Sequence, residues 1–238
     1  VGSEMCIRDR RLVVGAGDAG ARLVGDARVC GVLFTGSTDV AGLINRQLSQ
    51  RVNANGQPVP LIAETGGQNA LVVDSSALAE QVVGDVLASA FDSAGQRCSA
   101  LRLLCLQEEC ADHTLTMLKG GMDELRTGLP ALLETDIGPV ISVEAQGIIN
   151  RHIEDMRAKG YPVHQVPLPD TCAHGTFVPP TLIEIDDISD LKREVFGPVL
   201  HVVRYRRRDM DRVMDAINAT GYALTFGLHT RIDETVAH

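Results

Sequence analysis

Short, unbroken apolar runs alternate along this chain with longer stretches of helical periodicity, and that alternation restricts it to few folds. The runs at 31–35, 60–63, 70–74, 101–106, 200–205 and 224–228 read as strands, several of them buried on both faces. Between them, 38–50, 76–94, 111–125, 143–159 and 209–219 carry apolar residues at helical spacing. Parallel neighbours in a sheet need a crossover, and a helix is the usual one. The pattern therefore predicts an α/β fold with a largely parallel sheet.

Composition narrows the function. The 238 residues are 45% hydrophobic, enough for a sizeable core in one large domain or parts of two. The net charge of −9 argues against a nucleic-acid partner, and 3% aromatics without Trp argues against a platform for stacked bases or sugars. None of the six cysteines sits in a Cys-x-x-Cys pair, which disfavours zinc and thioredoxin-like readings, and no metal is expected. A chain this large does not need a disulfide framework, so a reducing cytoplasm is the expected compartment. No apolar run approaches the roughly 20 residues of a membrane span, and residues 1–10 lack the apolar core of a signal peptide.

Local motifs supply candidates, each with competing readings. Cys98 lies in Ser93-Ala94-Gly95-Gln96-Arg97-Cys98-Ser99-Ala100, between a helical stretch and the strand at 101–106, where a side chain can face a cleft. Gly95 permits a tight turn or a close backbone approach. Arg97 is a candidate for lowering the thiol pKa if it points that way. Taken alone, Cys98 also reads as a small buried cysteine. Gly15, Gly17 and Gly20 match a dinucleotide fingerprint after a strand-like 11–14. The following strand, however, ends in Gly36-Ser37 and not in the acid the fingerprint needs, so the turn reads as strand–helix packing. Gly36-Ser37-Thr38 opens a helix, where Ser37 is either an N-cap or part of an anion site. Ser75 or Ser76 is expected to cap the helix at 76–94. Residues 177–185 are expected to hold a strand pair, and His152 to lie at the surface. Cys105 reads as core.

Four stretches, taken together and in this order, resemble the aldehyde dehydrogenase superfamily. They are Phe34-Thr35-Gly36-Ser37-Thr38, Ala63-Glu64-Thr65-Gly66-Gly67-Gln68-Asn69, the Cys98 stretch, and Glu194-Val195-Phe196-Gly197-Pro198-Val199. The resemblance runs from about residue 11 to the end. Residues 1–10 do not fit and read as a foreign leader. The wording around Glu64, and the tail Gly227-Leu228-His229-Thr230-Arg231-Ile232-Asp233-Glu234, is most similar to the branch that oxidises L-glutamate γ-semialdehyde, as in bifunctional bacterial proline-utilisation enzymes.

The resemblance implies part of a Rossmann-like cofactor lobe at 11–64 and most of an α/β catalytic lobe at 65–238, truncated at its C-terminal end. It implies NAD as cofactor and a small-molecule aldehyde as substrate. Cys98 would be the nucleophile and Glu64 the general base. Gly36, Ser37 and Thr38 would line the pyrophosphate site, and Glu194 would hold the nicotinamide ribose. Phe196 would pack near the nicotinamide, and Ser99 would line the substrate pocket. The family's upstream Asn and Lys and its downstream carboxylate-gripping loop fall outside the chain, which therefore reads as an inactive fragment of a homo-oligomeric parent. Whether that parent is monofunctional or fused to a proline dehydrogenase domain stays open. A sister enzyme that reduces or transfers an acyl group needs no water-activating base, so Glu64 favours the hydrolytic dehydrogenase. A non-catalytic scaffold on the same fold would be expected to lack Cys98 or Glu64.

Overall fold

The computed structural model describes residues 11–237, so the leader read at 1–10 lies outside the described residues. The chain divides into two compact units, the first ending at Gly66 and the second beginning at Gly67.

In the first unit, helix α1 (Gly17–Gly25) precedes strand β1 (Val32–Thr35), helix α2 (Thr38–Leu48) and strand β2 (Leu61–Glu64). β1 and β2 pair in parallel, with Val32 opposite Leu61 and Thr35 opposite Glu64, and α2 is the crossover between them. A small core of Val24, Leu48 and Val59, backed by Val32, Ile44 and Leu61, holds the helices to the strands. Residues 11–14, expected to end a strand, form none, because no strand among the described residues offers them a ladder. The glycine turn therefore leads into α1 and does not pack a strand against it.

In the second unit, β3 (Ala70–Val73), α3 (Ala79–Phe91), β4 (Leu103–Gln107), α4 (Glu108–Asp123), α5 (Val143–Ala158), β5 (Val163–Gln165), β6 (Thr181–Ile185), β7 (Val199–Tyr205), α6 (Met210–Ala219), β8 (Phe226–His229) and α7 (Asp233–Ala237) follow in order. The sheet order is β5-β6-β7-β4-β3-β8; every pairing is parallel except β5 with β6. All residues of β3 and β4 are buried, as expected for parallel strands covered on both faces. Phe91, Leu103, Leu118, Met122, Ile149 and Ile153 are core side chains, each stabilising by about 1.5–3 kcal/mol.

Two expectations change. Only Thr181–Ile185 forms a strand in the stretch expected to hold a pair, because Pro179 and Pro180 have no N–H to donate to a ladder. Helix α3 starts at Ala79 without a side-chain cap, so neither Ser75 nor Ser76 caps it. Ser76 instead donates its hydroxyl to Asp74, and its Oγ accepts the Arg231 N–H at 2.7 Å. Thr230 also donates its hydroxyl to Asp74, whose own N–H reaches the His229 carbonyl. The end of β3 thus straps the chain leaving β8.

Burial pushes the Asp74 carboxyl pKa up, but hydrogen bonds from Ser76 and Thr230 outweigh it and hold the pKa below its ordinary value. A carboxylate depressed in the folded state stabilises above the unfolded pKa, near 4, and that contribution is lost as pH falls through the folded value. Asp74→Asn should cost about 1.5–3 kcal/mol at neutral pH. The gap to wild type should narrow below about pH 4 in thermal unfolding across a pH series.

Candidate active site

The first unit gathers its candidates at the carboxyl ends of its two parallel strands, where α/β sheets commonly bind ligands. The Gly36 N–H donates to the Glu64 carbonyl at 3.1 Å, which ties the turn after β1 to the last residue of β2. Ser37 caps α2, its Oγ accepting the Val40 N–H at 3.2 Å. Gly36, Ser37, Thr38 and Glu64 are all exposed. Within the same unit, an apolar cleft of about 590 Å³ is lined by residues of α1, β1 and α2, among them Gly20, Leu23, Phe34, Leu43 and Ile44.

The second unit presents its candidates at the amino ends of its strands. After Phe91 the chain turns left-handed at three consecutive residues, Ser93 (φ 57°), Ala94 (φ 54°) and Gly95 (φ 64°). A non-glycine residue in this region costs about 1–3 kcal/mol, so the packing around the turn must compensate. Gly95 is needed twice over: its φ is positive, and a Cβ there would collide with the carbonyl oxygen of Gly197. The same contact brings the Cys98 stretch against the Glu194 stretch.

Arg97, read from the sequence as a candidate neighbour of the thiol, is engaged by the backbone of α3. Its guanidinium donates to the carbonyls of Ala88 at 2.8 Å and Ser89 at 3.1 Å, satisfying the free C-terminal end of α3. Cys98 and Ser99 are exposed just past that turn, and Cys98 is a free thiol. The loop is held from behind by buried Asn69, whose side-chain amide donates to the carbonyls of Cys98 and Ala100, each at 2.8 Å. The amide oxygen of Asn69 accepts the Thr225 N–H at 3.0 Å.

Arg102 stands in the first turn of chain before β4 and is 1% exposed. It donates to the carbonyls of Gly197 at 3.1 Å and Arg97 at 3.2 Å, and to Oε1 of half-buried Glu194 at 3.2 Å. Its guanidinium carbon is 5.3 Å from the ring centroid of Phe196, which is 42% exposed. Burial presses the Arg102 pKa downward and Glu194 opposes it; a guanidinium stays charged in either case. Sequence reading missed Asn69 and Arg102 as the side chains that hold these candidate loops. A signal for Arg102 existed, since a cation inside an otherwise apolar strand run needs a buried partner.

Two further side chains settle nearby. His152, expected at the surface, is half-buried, with its Nε2 2.8 Å from Nε2 of His201 on β7. Nδ1 of His201 lies 3.2 Å from the Arg102 carbonyl. Burial lowers the pKa of both, that of His201 to about 3, so the pair is neutral near pH 7. Cys105 is core, as expected, and burial pushes its thiol up to about 12. Among the described residues, no cluster of three or more His, Cys, Asp or Glu could hold a metal, and no helix is long and apolar enough to cross a membrane.

Comparison with known proteins gives one answer. The model of the aldehyde dehydrogenase family matches residues 11–238. The bifunctional protein PutA of Klebsiella aerogenes is 63% identical over 233 residues, covering 95% of this chain and 18% of the relative. The 1-pyrroline-5-carboxylate dehydrogenase of Geobacillus kaustophilus is 32% identical over 216 residues, covering 90% of this chain and 41% of the relative. A crystal structure of bifunctional proline utilization A superposes with a TM-score of 0.89 at 49% identity, covering 95% of this chain and 22% of that one. The chain thus spans less than a fifth of the Klebsiella relative's length.

The Asn69 clamp generates a direct test. Asn69→Ala leaves the Thr225 N–H and two carbonyls without their partner and should cost about 2–4 kcal/mol in chemical unfolding. Asn69→Asp should be no better, since a carboxylate cannot donate to the Cys98 and Ala100 carbonyls.

Proposed function

The chain belongs to the aldehyde dehydrogenase family, and on that premise we propose that it carries the working residues of an enzyme oxidising L-glutamate γ-semialdehyde to L-glutamate with NAD. The observation that carries the reading is Cys98: an exposed free thiol on a loop whose own carbonyl is locked by a buried amide. A nucleophile held in this way needs little reorganisation to meet an aldehyde carbon.

The Cys98 thiolate adds its electron pair to that carbon, forming the C–S bond and a tetrahedral thiohemiacetal. NAD, when bound, supplies the acceptor for the hydride that leaves this carbon, which becomes a thioester on Cys98. Glu64 then takes a proton from water, the hydroxide adds to the thioester carbonyl, and the C–S bond breaks with return of the electron pair to sulfur. The residues present fit the cofactor. The capped N-terminus of α2 at Gly36, Ser37 and Thr38 suits a pyrophosphate. The neighbouring apolar cleft suits a flat adenine. Glu194 would accept from the nicotinamide ribose hydroxyls. Phe196, with Arg102 beside its ring, offers exposed surface to the nicotinamide, and Ser99 lines the aldehyde pocket.

The choice of substrate and setting rests on the relatives. One is named a 1-pyrroline-5-carboxylate dehydrogenase and others are bifunctional proline utilization proteins. The bifunctional relatives support a parent that also carries a proline dehydrogenase activity, and the proposal takes that parent to be a cytoplasmic homo-oligomer.

In the full-length enzyme, Glu64→Gln should preserve a rapid burst of NADH and slow steady turnover by about 10²–10⁴-fold, read by rapid mixing. Unchanged steady turnover would remove Glu64 as the base. A site with donors for the substrate's carboxylate leaves them unpaired when an alkyl aldehyde binds. The ratio of kcat/KM for glutamate semialdehyde over propanal should therefore be about 10⁴ or more. Equal use of the two aldehydes would leave the family standing and remove the substrate.

A further inference from the structure

We propose that Arg102 is a positioning residue that sets the cofactor-side carboxylate and the nucleophile loop from a single buried guanidinium. The inference rests on the reading that Glu194 touches NAD and that Cys98 is the nucleophile.

Three acceptors from two distant stretches meet this one side chain: the carbonyl of Arg97, next to Cys98; Oε1 of Glu194; and the carbonyl of Gly197. The root of the side chain is as tightly held as its head. The Arg102 N–H donates to the Asn69 carbonyl at 3.0 Å, and its carbonyl accepts the His201 N–H at 2.9 Å. Held at both ends, the guanidinium has little freedom to follow a shift in any of its partners. A planar fork can serve several acceptors in fixed directions, whereas an ammonium is a compact point charge. Glu194, 14% exposed at its side chain, has its rotamer freedom restricted by the 3.2 Å contact of Oε1 with Arg102. The arrangement therefore makes the orientation of Glu194 and the path of the chain into Cys98 depend on one another.

The test uses the full-length enzyme and four variants: Arg102→Lys, Arg102→Met, Glu194→Gln and the Arg102→Lys/Glu194→Gln double. Calorimetry reads the NAD dissociation constant, iodoacetamide reads the alkylation rate of Cys98, and thermal unfolding reports the folded fraction. Arg102→Lys should weaken NAD by about tenfold and shift the alkylation rate, while adding little to the loss already present in Glu194→Gln. A merely structural arginine would lower the melting temperature and leave the folded fraction with wild-type NAD affinity and thiol reactivity. If Arg102→Met does not fold, the lysine variant carries the test.

Weakened affinity in Glu194→Gln beside wild-type affinity and alkylation in Arg102→Lys overturns this inference alone. Fully additive losses in the double variant overturn it too. Unchanged affinity in Glu194→Gln overturns both this inference and the ribose role.

Discussion

A buried side-chain amide that makes three hydrogen bonds has no second arrangement of similar energy. Asn69 is that amide: it holds two carbonyls of the Cys98 loop and one N–H ahead of β8. Removing the amide leaves the Ala100 carbonyl without its partner in a buried setting and the Cys98 carbonyl and Thr225 N–H without theirs in a partly buried one, at a cost that is a sizeable part of a protein's marginal stability. The geometry of the thiol loop is therefore determined by the sheet behind it, and the sheet's amino edge is in turn closed by that loop. The main-chain carbonyl of Asn69 extends the same logic by accepting from Arg102 and Leu103 as β4 begins.

The two units use opposite ends of their strands. In the first, the turn after β1 and the end of β2 meet at the carboxyl edge, where a helix N-terminus is open to an anion. In the second, the chain entering β3, β4, β7 and β8 supplies Asn69, Cys98, Arg102, Gly197 and Thr225 at the amino edge. At that edge the buried side chains of Asn69 and Arg102 bond the loop carbonyls of Arg97, Cys98, Ala100 and Gly197.

Much of the α/β architecture was legible because uninterrupted apolar runs mark parallel strands; β3, β4 and β7 are buried as such runs predict, whereas β1, read as buried, leaves Leu33 exposed. The place of Cys98 at a helix-to-strand junction was legible for a related reason, since the helical period and the strand run meet there; its exposure was not, because taken alone it read as a small buried cysteine. The left-handed turn before it was legible only in part. A tight turn at Gly95 was expected, but not the positive φ of Ser93 and Ala94 before it, where Gly95 packs against Gly197 about a hundred residues away in sequence. Arg97 misled through sequence proximity, because the carbonyls ending α3 compete for its guanidinium. His152 misled because a helix position that looks solvated by periodicity faces a histidine buried in β7. In the tail that resembles one enzyme branch, Thr230 is tied to Asp74 at the end of β3, a role that the sequence pattern did not show.

The His152–His201 pair has a consequence for how the molecule exchanges protons with its surroundings. Folded, His201 stays neutral down to about pH 3, whereas an unfolded histidine is half protonated near pH 6.5. Between those values, opening the second unit takes up a proton at His201, and the contribution of the neutral imidazole to stability fades as the solution is acidified. Unfolding in mild acid therefore draws protons from the buffer, and the apparent heat of the transition includes the heat of ionising whichever buffer supplies them.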